Sequence, residues 1–276
     1  RANAELLGVL LNNRIKSSID MLHSFVGLIR GSDHVQAEEF EVFANSVMQR
    51  DDSILGVSLN LSVAGSELSQ FEQNIQRYYP DREFRVKEKN SLGEFVSVTP
   101  RDTHVVVTYI SPIKASEAAL GYDVYSQVDR KYALDQTKLL RKAYPTPPIK
   151  LVQQSNGLLL FLPFFDKDSD AFLGVVAAII ELDILTDTIL ERGHLPNTEL
   201  YLIDAFHSEV SPNIVTKSRA ASLSADDVVA RYDSAGFSHA AKFDIEVGAK
   251  TWQLYQVSDN YFFKQPWIVK FVLACG

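Results

Sequence analysis

VVVTYISPIKASEAALGYDVYSQVDRKYAL, residues Val105 to Leu134, is the stretch whose order of elements decides the fold. A strand-like apolar run closes on Ser111-Pro112, since proline has no N–H to continue a ladder. A loop follows and reaches Gly121-Tyr122-Asp123. Asp129-Arg130 then opens a helical stretch that runs to Ala143 and ends ahead of Pro145, because the residue before a proline is pushed out of the helical region.

Working toward the N-terminus, residues Ala2 to Ile29 contain no proline, and their apolar positions step at helical spacing. Leu11, Ile15, Leu22, Phe25 and Ile29 fall on one narrow seam, interrupted by Ser18. A seam of this width predicts a stalk helix that pairs with the same helix of a second copy. Gly31-Ser32-Asp33 breaks it, and Val35 to Met48 forms a second amphipathic helix. Ile54 to Leu61 reads as a strand, Ser66 to Tyr78 as a helix, and Phe84 to Lys87 and Phe95 to Val98 as short strands around a turn at Asn90 to Gly93.

Toward the C-terminus, Leu158 to Phe165 and Phe172 to Leu182 are nearly continuous apolar runs joined by the polar turn Asp166-Lys167-Asp168-Ser169-Asp170, the pattern of a central hairpin. Ile184 to Glu191 reads as a connecting helix. A smaller strand-rich set follows at Glu199 to Ile203, Ala241 to Val247 and Thr251 to Val257, with Ser222 to Arg231 between them as a polar helix or long loop. The fold class expected is α+β: a long N-terminal stalk helix followed by two tandem PAS-like units with antiparallel sheets. The boundaries are residues 1–50 for the stalk, 51–183 for the first unit, 184–264 for the second, and 265–276 for the start of a membrane helix. That last segment, Trp267 followed by IVKFVLACG, has an interfacial aromatic before an apolar run, although Lys270 also allows a buried strand. With no signal peptide and no complete span of about twenty apolar residues, the chain is expected to be a piece of a longer protein, cut on both sides.

The 276 residues carry 46% hydrophobic side chains, enough for real cores, and a net charge of −8. No Lys/Arg block could track a phosphate backbone, so nucleic acid is not an expected partner. The single cysteine, Cys275, excludes a disulfide framework and a thiolate metal cluster; cytosol and periplasm both fit that count. The Asp166 to Asp170 run begins like a calcium loop, but its sixth position is Ala171 instead of Gly and its twelfth is Ala177 instead of Glu, so it is expected to be a hairpin turn. The six histidines show no metal-ligand spacing, and no nucleophile elbow, P-loop or dinucleotide fingerprint occurs. No catalytic residue, metal or cofactor is expected.

From Phe40 to Asp183 the chain resembles the CHASE domain, a sensor found outside the membrane on receptor histidine kinases and nucleotide-cyclase receptors. Five pieces carry the likeness in order. They are GVSLNLSVAGSELSQFE (Gly56 to Glu72), the Ser111-Pro112 strand end, Leu120-Gly121-Tyr122-Asp123, Arg130 with Ala133-Leu134, and GLLLFLPFF (Gly157 to Phe165) followed by Phe172-Leu173-Gly174-Val175-Val176.

The resemblance implies a periplasmic or extracellular, membrane-anchored homodimer joined through the N-terminal helix. It implies a membrane-distal unit that holds a small molecule, a membrane-proximal unit, and a kinase or diguanylate cyclase output elsewhere in the receptor. The fragment itself is then no enzyme. A solute-binding module without signalling, and a hydrolase, are the alternatives. In plant members the ligand is a cytokinin, an adenine with an apolar tail. Carried over, the ligand-binding residues are Asp129, Thr146, and the backbone near Leu151 or Val152, with Tyr122 nearby. A carboxylate at Asp129 would accept purine N–H bonds worth about 1.5–3 kcal/mol, or it would instead cap the helix it begins by accepting from Lys131 or Tyr132. The Gly-Tyr-Asp turn has the same ambiguity between ligand contact and backbone shape.

Overall fold

The computed structural model describes residues 2–32, 35–150, 156–182, 184–185, 198–204, 213–218, 221–233 and 240–258. Leu151, Val152, most of the expected helix from Ile184, and the 265–276 segment lie outside the described residues. Two compact units are present: Asn13–Ile184 with Glu246–Lys250, and the described parts of Arg1–Asn12, Leu185–Ile245 and Thr251–Gly276.

The first element is a helix, α1, Ala2–Gly31. Leu11, Ile15, Leu22 and Phe25 on its expected seam are at most 4% exposed within this one chain. The expectation that this seam meets a twin is therefore corrected: it is core. Phe25 packs against Phe40 and Phe43 at ring separations of 5.2 and 4.8 Å, and each such buried aromatic or aliphatic side chain contributes about 1.5–3 kcal/mol. Ser18 is buried on the same seam because its hydroxyl donates back to the Arg14 carbonyl. What α1 leaves exposed is the opposite stripe, Leu6, Val9, Asn13, Lys16, Asp20, His23, Gly27 and Arg30, stepping alternately by three and four. Helix α2, Ala37–Met48, follows, started by a capping box between Gln36 and Glu39.

The larger unit is built on an antiparallel sheet. Its strands are β1 Ile54–Ala64, β4 Thr103–Ser111, β5 Tyr144–Pro145, β6 Ile149–Lys150, β7 Asn156–Phe165 and β8 Phe172–Glu181. The order is β4-β1-β8-β7-β5, with β6 also on β7. Strands β7 and β8 are the expected hairpin, with Leu160 opposite Ala178 and Leu162 opposite Val176. In β7 every residue after Asn156 is buried, on both faces, which is why its sequence shows no alternation. Pro163 is tolerated there because β5 pairs only as far as Phe161, so the missing N–H faces no partner strand.

Around this sheet lie α3 Leu68–Gln76, a small hairpin of β2 Lys87–Lys89 and β3 Phe95–Ser97, the short α4 Ile113–Ser116, and α5 Val128–Leu140. Helix α5 buries Ala133, Leu134 and Thr137. The Thr137 hydroxyl reaches the Lys142 and Phe161 carbonyls and so ties the helix end to β7.

The second sheet runs β10-β9-β12-β11, from β9 Thr198–Asp204, β10 Asn213–Lys217, β11 Ala240–Val247 and β12 Lys250–Ser258. Strand β10 was not expected. The segment read as polar helix or loop is helix α6, Ala225–Asp233. Tyr201, Ile203, Val228 and Tyr255 form a core beside this sheet. The α+β class, with its long helix and two antiparallel sheets, is as expected.

Candidate functional site

The Gly121-Tyr122-Asp123 loop is held by backbone bonds on two sides. Gly121 donates to the Val107 carbonyl and Val107 donates to that of Tyr122, while Lys87 donates to the Gly121 carbonyl and Asp123 donates to that of Lys87. Gly121 sits at φ +75, where a Cβ would lie 2.1 Å from the Arg85 carbonyl oxygen. Only glycine fits.

Asp123 is fully buried. Its Oδ1 accepts from the Val105 and Tyr125 N–H groups, both at 3.0 Å. Its Oδ2 accepts from Arg101 Nη1 at 2.6 Å and lies 2.8 Å from His104 Nδ1. Arg101 turns its other amino group to Glu88. Burial would raise the Glu88 carboxyl, but bonds from Thr99 and Arg101 outweigh it and hold the group below its ordinary value. With every lone-pair direction engaged, Asp123 is an architectural residue that locks this loop to β4.

The locked loop presents Tyr122. Its ring meets the edge of Phe95 at 5.8 Å, and the Arg130 guanidinium carbon lies 5.0 Å from its centre. The Tyr122 hydroxyl and Arg130 Nε are both buried with no hydrogen-bond partner, two of four such side-chain atoms among the described residues. Burial pulls the Arg130 guanidinium below its ordinary value, countered only by Tyr122. Lys87 lies over Phe95 at 4.6 Å, and burial lowers its ammonium as well. The neighbourhood is therefore cationic and donor-rich.

The sequence-selected residues are distributed unequally around it. Asp129 precedes Arg130 in the first turn of α5, exposed and with no hydrogen bond, so it is not the cap expected as one alternative; Gln127 holds the N-cap position and its carbonyl accepts from Lys131. Thr146 is buried, and its hydroxyl accepts from the Leu159 N–H at 3.0 Å. That leaves its hydroxyl hydrogen free to donate elsewhere. Tyr122 and Arg130 stand together. Sequence reading did not select Arg130 as a site residue, although a signal exists: a cation in the first turn opposes the helix dipole, and Ser126, Gln127, Ala133 and Leu134 at helical neighbour positions offer it no acid.

A separate apolar cavity of about 620 Å³ lies on the larger unit, lined among others by Ile29, Val35, Leu59, Phe71, Ile75 and Phe164. Among the described residues, none of the sequence-selected ones lines it, and its lining carries no orphaned buried polar atom. The Asp166 to Asp170 turn is self-contained: Asp166 accepts from Asp168 and Ser169, and Asp170 pairs with Arg141.

The CHASE domain family profile matches residues 33–215. The chain belongs to the CHASE family. The match is longer than the sequence resemblance and reaches into the second sheet. CHASE domains are extracellular sensory domains, and this one shares its fold with solved sensor structures. An extracellular ligand binding receptor from Desulfohalobium retbaense superposes with a TM-score of 0.58 at 12% identity, covering 92% of this chain. The chain spans 39% of that receptor's length. The ligand binding domain of the Pseudomonas aeruginosa amino acid chemoreceptor PctB, in complex with L-Arg, gives a TM-score of 0.56 at 12% identity, with 94% and 93% of the two chains covered. That of PctC, in complex with GABA, gives 0.53 at 13%, with 92% and 95% covered. Among curated proteins there is no match. At these identities the structural likeness concerns the fold. Among the described residues no helix is long and apolar enough to cross a membrane.

Proposed function

We propose that this CHASE domain is the periplasmic or extracellular sensor of a membrane-anchored receptor, binding a small molecule in its larger unit and passing occupancy to a kinase or diguanylate cyclase output. The observation that carries the reading is the family match across residues 33–215. The fold shared with PctB in complex with L-Arg and PctC in complex with GABA supports a small polar metabolite as ligand. In this reading residues 51–183 form the membrane-distal sensing unit, 184–264 the membrane-proximal one, and 265–276 the start of a membrane helix.

Tyr122, Thr146, Leu151 and Val152 belong to the binding region, with Asp129 at its mouth. A cytokinin-like adenine would need Asp129 as its acceptor, since Arg130 offers only donors. The protein works as a homodimer through α1, and the exposed stripe beginning Leu6, Val9, Asn13 is the face available for pairing. Differential affinity for two arrangements of that dimer would supply the switching free energy.

Thermal-shift measurements with purines, cytokinins, amino acids and carboxylates test the reading. A ligand at about 100 times its dissociation constant adds about 2.7 kcal/mol of apparent stability, and recovery of that ligand unchanged separates a sensor from a hydrolase. A panel with no stabilising compound would remove the sensor assignment.

A further inference from the structure

We infer that the ligand of this CHASE domain carries a carboxylate, bound by the Arg130 guanidinium with the Tyr122 hydroxyl as a second donor. This rests on the ligand-binding reading above and names the chemical class of its ligand.

The argument begins with a charge that the fold leaves unanswered. Two other partly buried arginines in the larger unit are neutralised: Arg14 pairs with Asp51 at 2.6 Å, and Arg101 pairs with both Asp123 and Glu88. Arg130 has no ion pair and no hydrogen bond among the described residues, and its Nε is buried. A half-buried guanidinium whose Nε is sealed from water and unbonded is costly unless something brought from outside completes it. The nearby acids cannot do so, because Asp123 and Glu88 are committed to Arg101, and Asp129 is exposed.

The second observation is the Tyr122 hydroxyl, buried and unbonded, on a ring whose centre lies 5.0 Å from the Arg130 guanidinium carbon. A cation held over an aromatic ring by this contact still has its N–H groups to give to an acceptor. Two unpartnered donors on neighbouring side chains, one of them cationic, call for an acceptor bearing negative charge, and a carboxylate has the flat, two-oxygen shape that guanidinium matches best. An uncharged purine could offer ring nitrogens as acceptors, but it brings no negative charge to offset the guanidinium.

The test is calorimetric titration of the 276-residue chain with matched pairs, L-leucine against L-leucinamide and benzoate against benzamide, together with inorganic phosphate and isopentenyladenine. The expected result is binding of a carboxylate but not its amide. Arg130→Gln should then weaken it on the order of 10- to 100-fold, with Tyr122→Phe weakening it less. Arg130→Met supplies a readout that needs no ligand: its thermal midpoint should rise, because an unpaired buried charge has been removed, whereas a purely structural guanidinium would make it fall. Carboxylate binding that survives Arg130→Gln would overturn the site while leaving the sensor reading intact. Binding confined to isopentenyladenine or phosphate would overturn the carboxylate class alone. No binding to any probe would remove this inference and the sensor reading together.

Discussion

Three residues within eight positions show how neighbours in sequence divide their work. Asp123 spends both oxygens on Arg101, His104 and two backbone N–H groups; Tyr122 and Arg130 leave polar atoms unspent. Asp123→Ala should therefore destabilise the larger unit by about 3–5 kcal/mol, since it leaves two backbone amides and the buried His104 ring without their acceptor; urea unfolding of the variant measures this, and a change under 1 kcal/mol would contradict the locked-loop account. Thr146→Val should cost about 1–3 kcal/mol through the orphaned Leu159 N–H, read by the same transition. If the Thr146 hydroxyl hydrogen also serves the ligand, the variant binds more weakly in calorimetry as well.

At the level of elements, the β2–β3 hairpin is joined to the Gly121 loop through Glu88, Arg101 and Asp123. The folded-state pKa of Glu88 lies below its unfolded value. Its stabilisation is thus fully present above the unfolded pKa and is lost as pH falls through the folded one. The midpoint of thermal unfolding should decline on acidification below the ordinary carboxylate range, and Glu88→Gln should flatten that decline. An equally steep acid decline in the variant would place the effect on other carboxylates.

For the whole molecule, the decisive surface is the face of α1 turned away from the core. Leu6 and Val9 are 50% and 54% exposed, while the seam that looked like a dimer interface is buried in the chain itself. Sedimentation velocity should find pairing at high protein concentration that Val9→Glu abolishes with under about 0.5 kcal/mol change in fold stability, as expected of a surface position. A variant that still pairs would move the interface off this stripe.

The sequence by itself determined the long helix, most of the longer strands, the hairpin of β7 and β8, the α+β class and the family, because these depend on local periodicity and on motifs that stay in order along the chain; the short β5 and β6, and β10, carry too little periodicity to be read. It also placed Tyr122 in the region of interest. Tertiary structure alone decided which way each amphipathic face turned. A helical seam has the same period whether it buries against its own domain or a twin, so Leu11 to Phe25 could not be assigned until their neighbours were known. The same holds for charge. Asp123, Asp129 and Arg130 are equally ionic on paper, and only packing across β2, β4 and α5 leaves the first satisfied, the second in solvent and the third half-buried without a counter-charge.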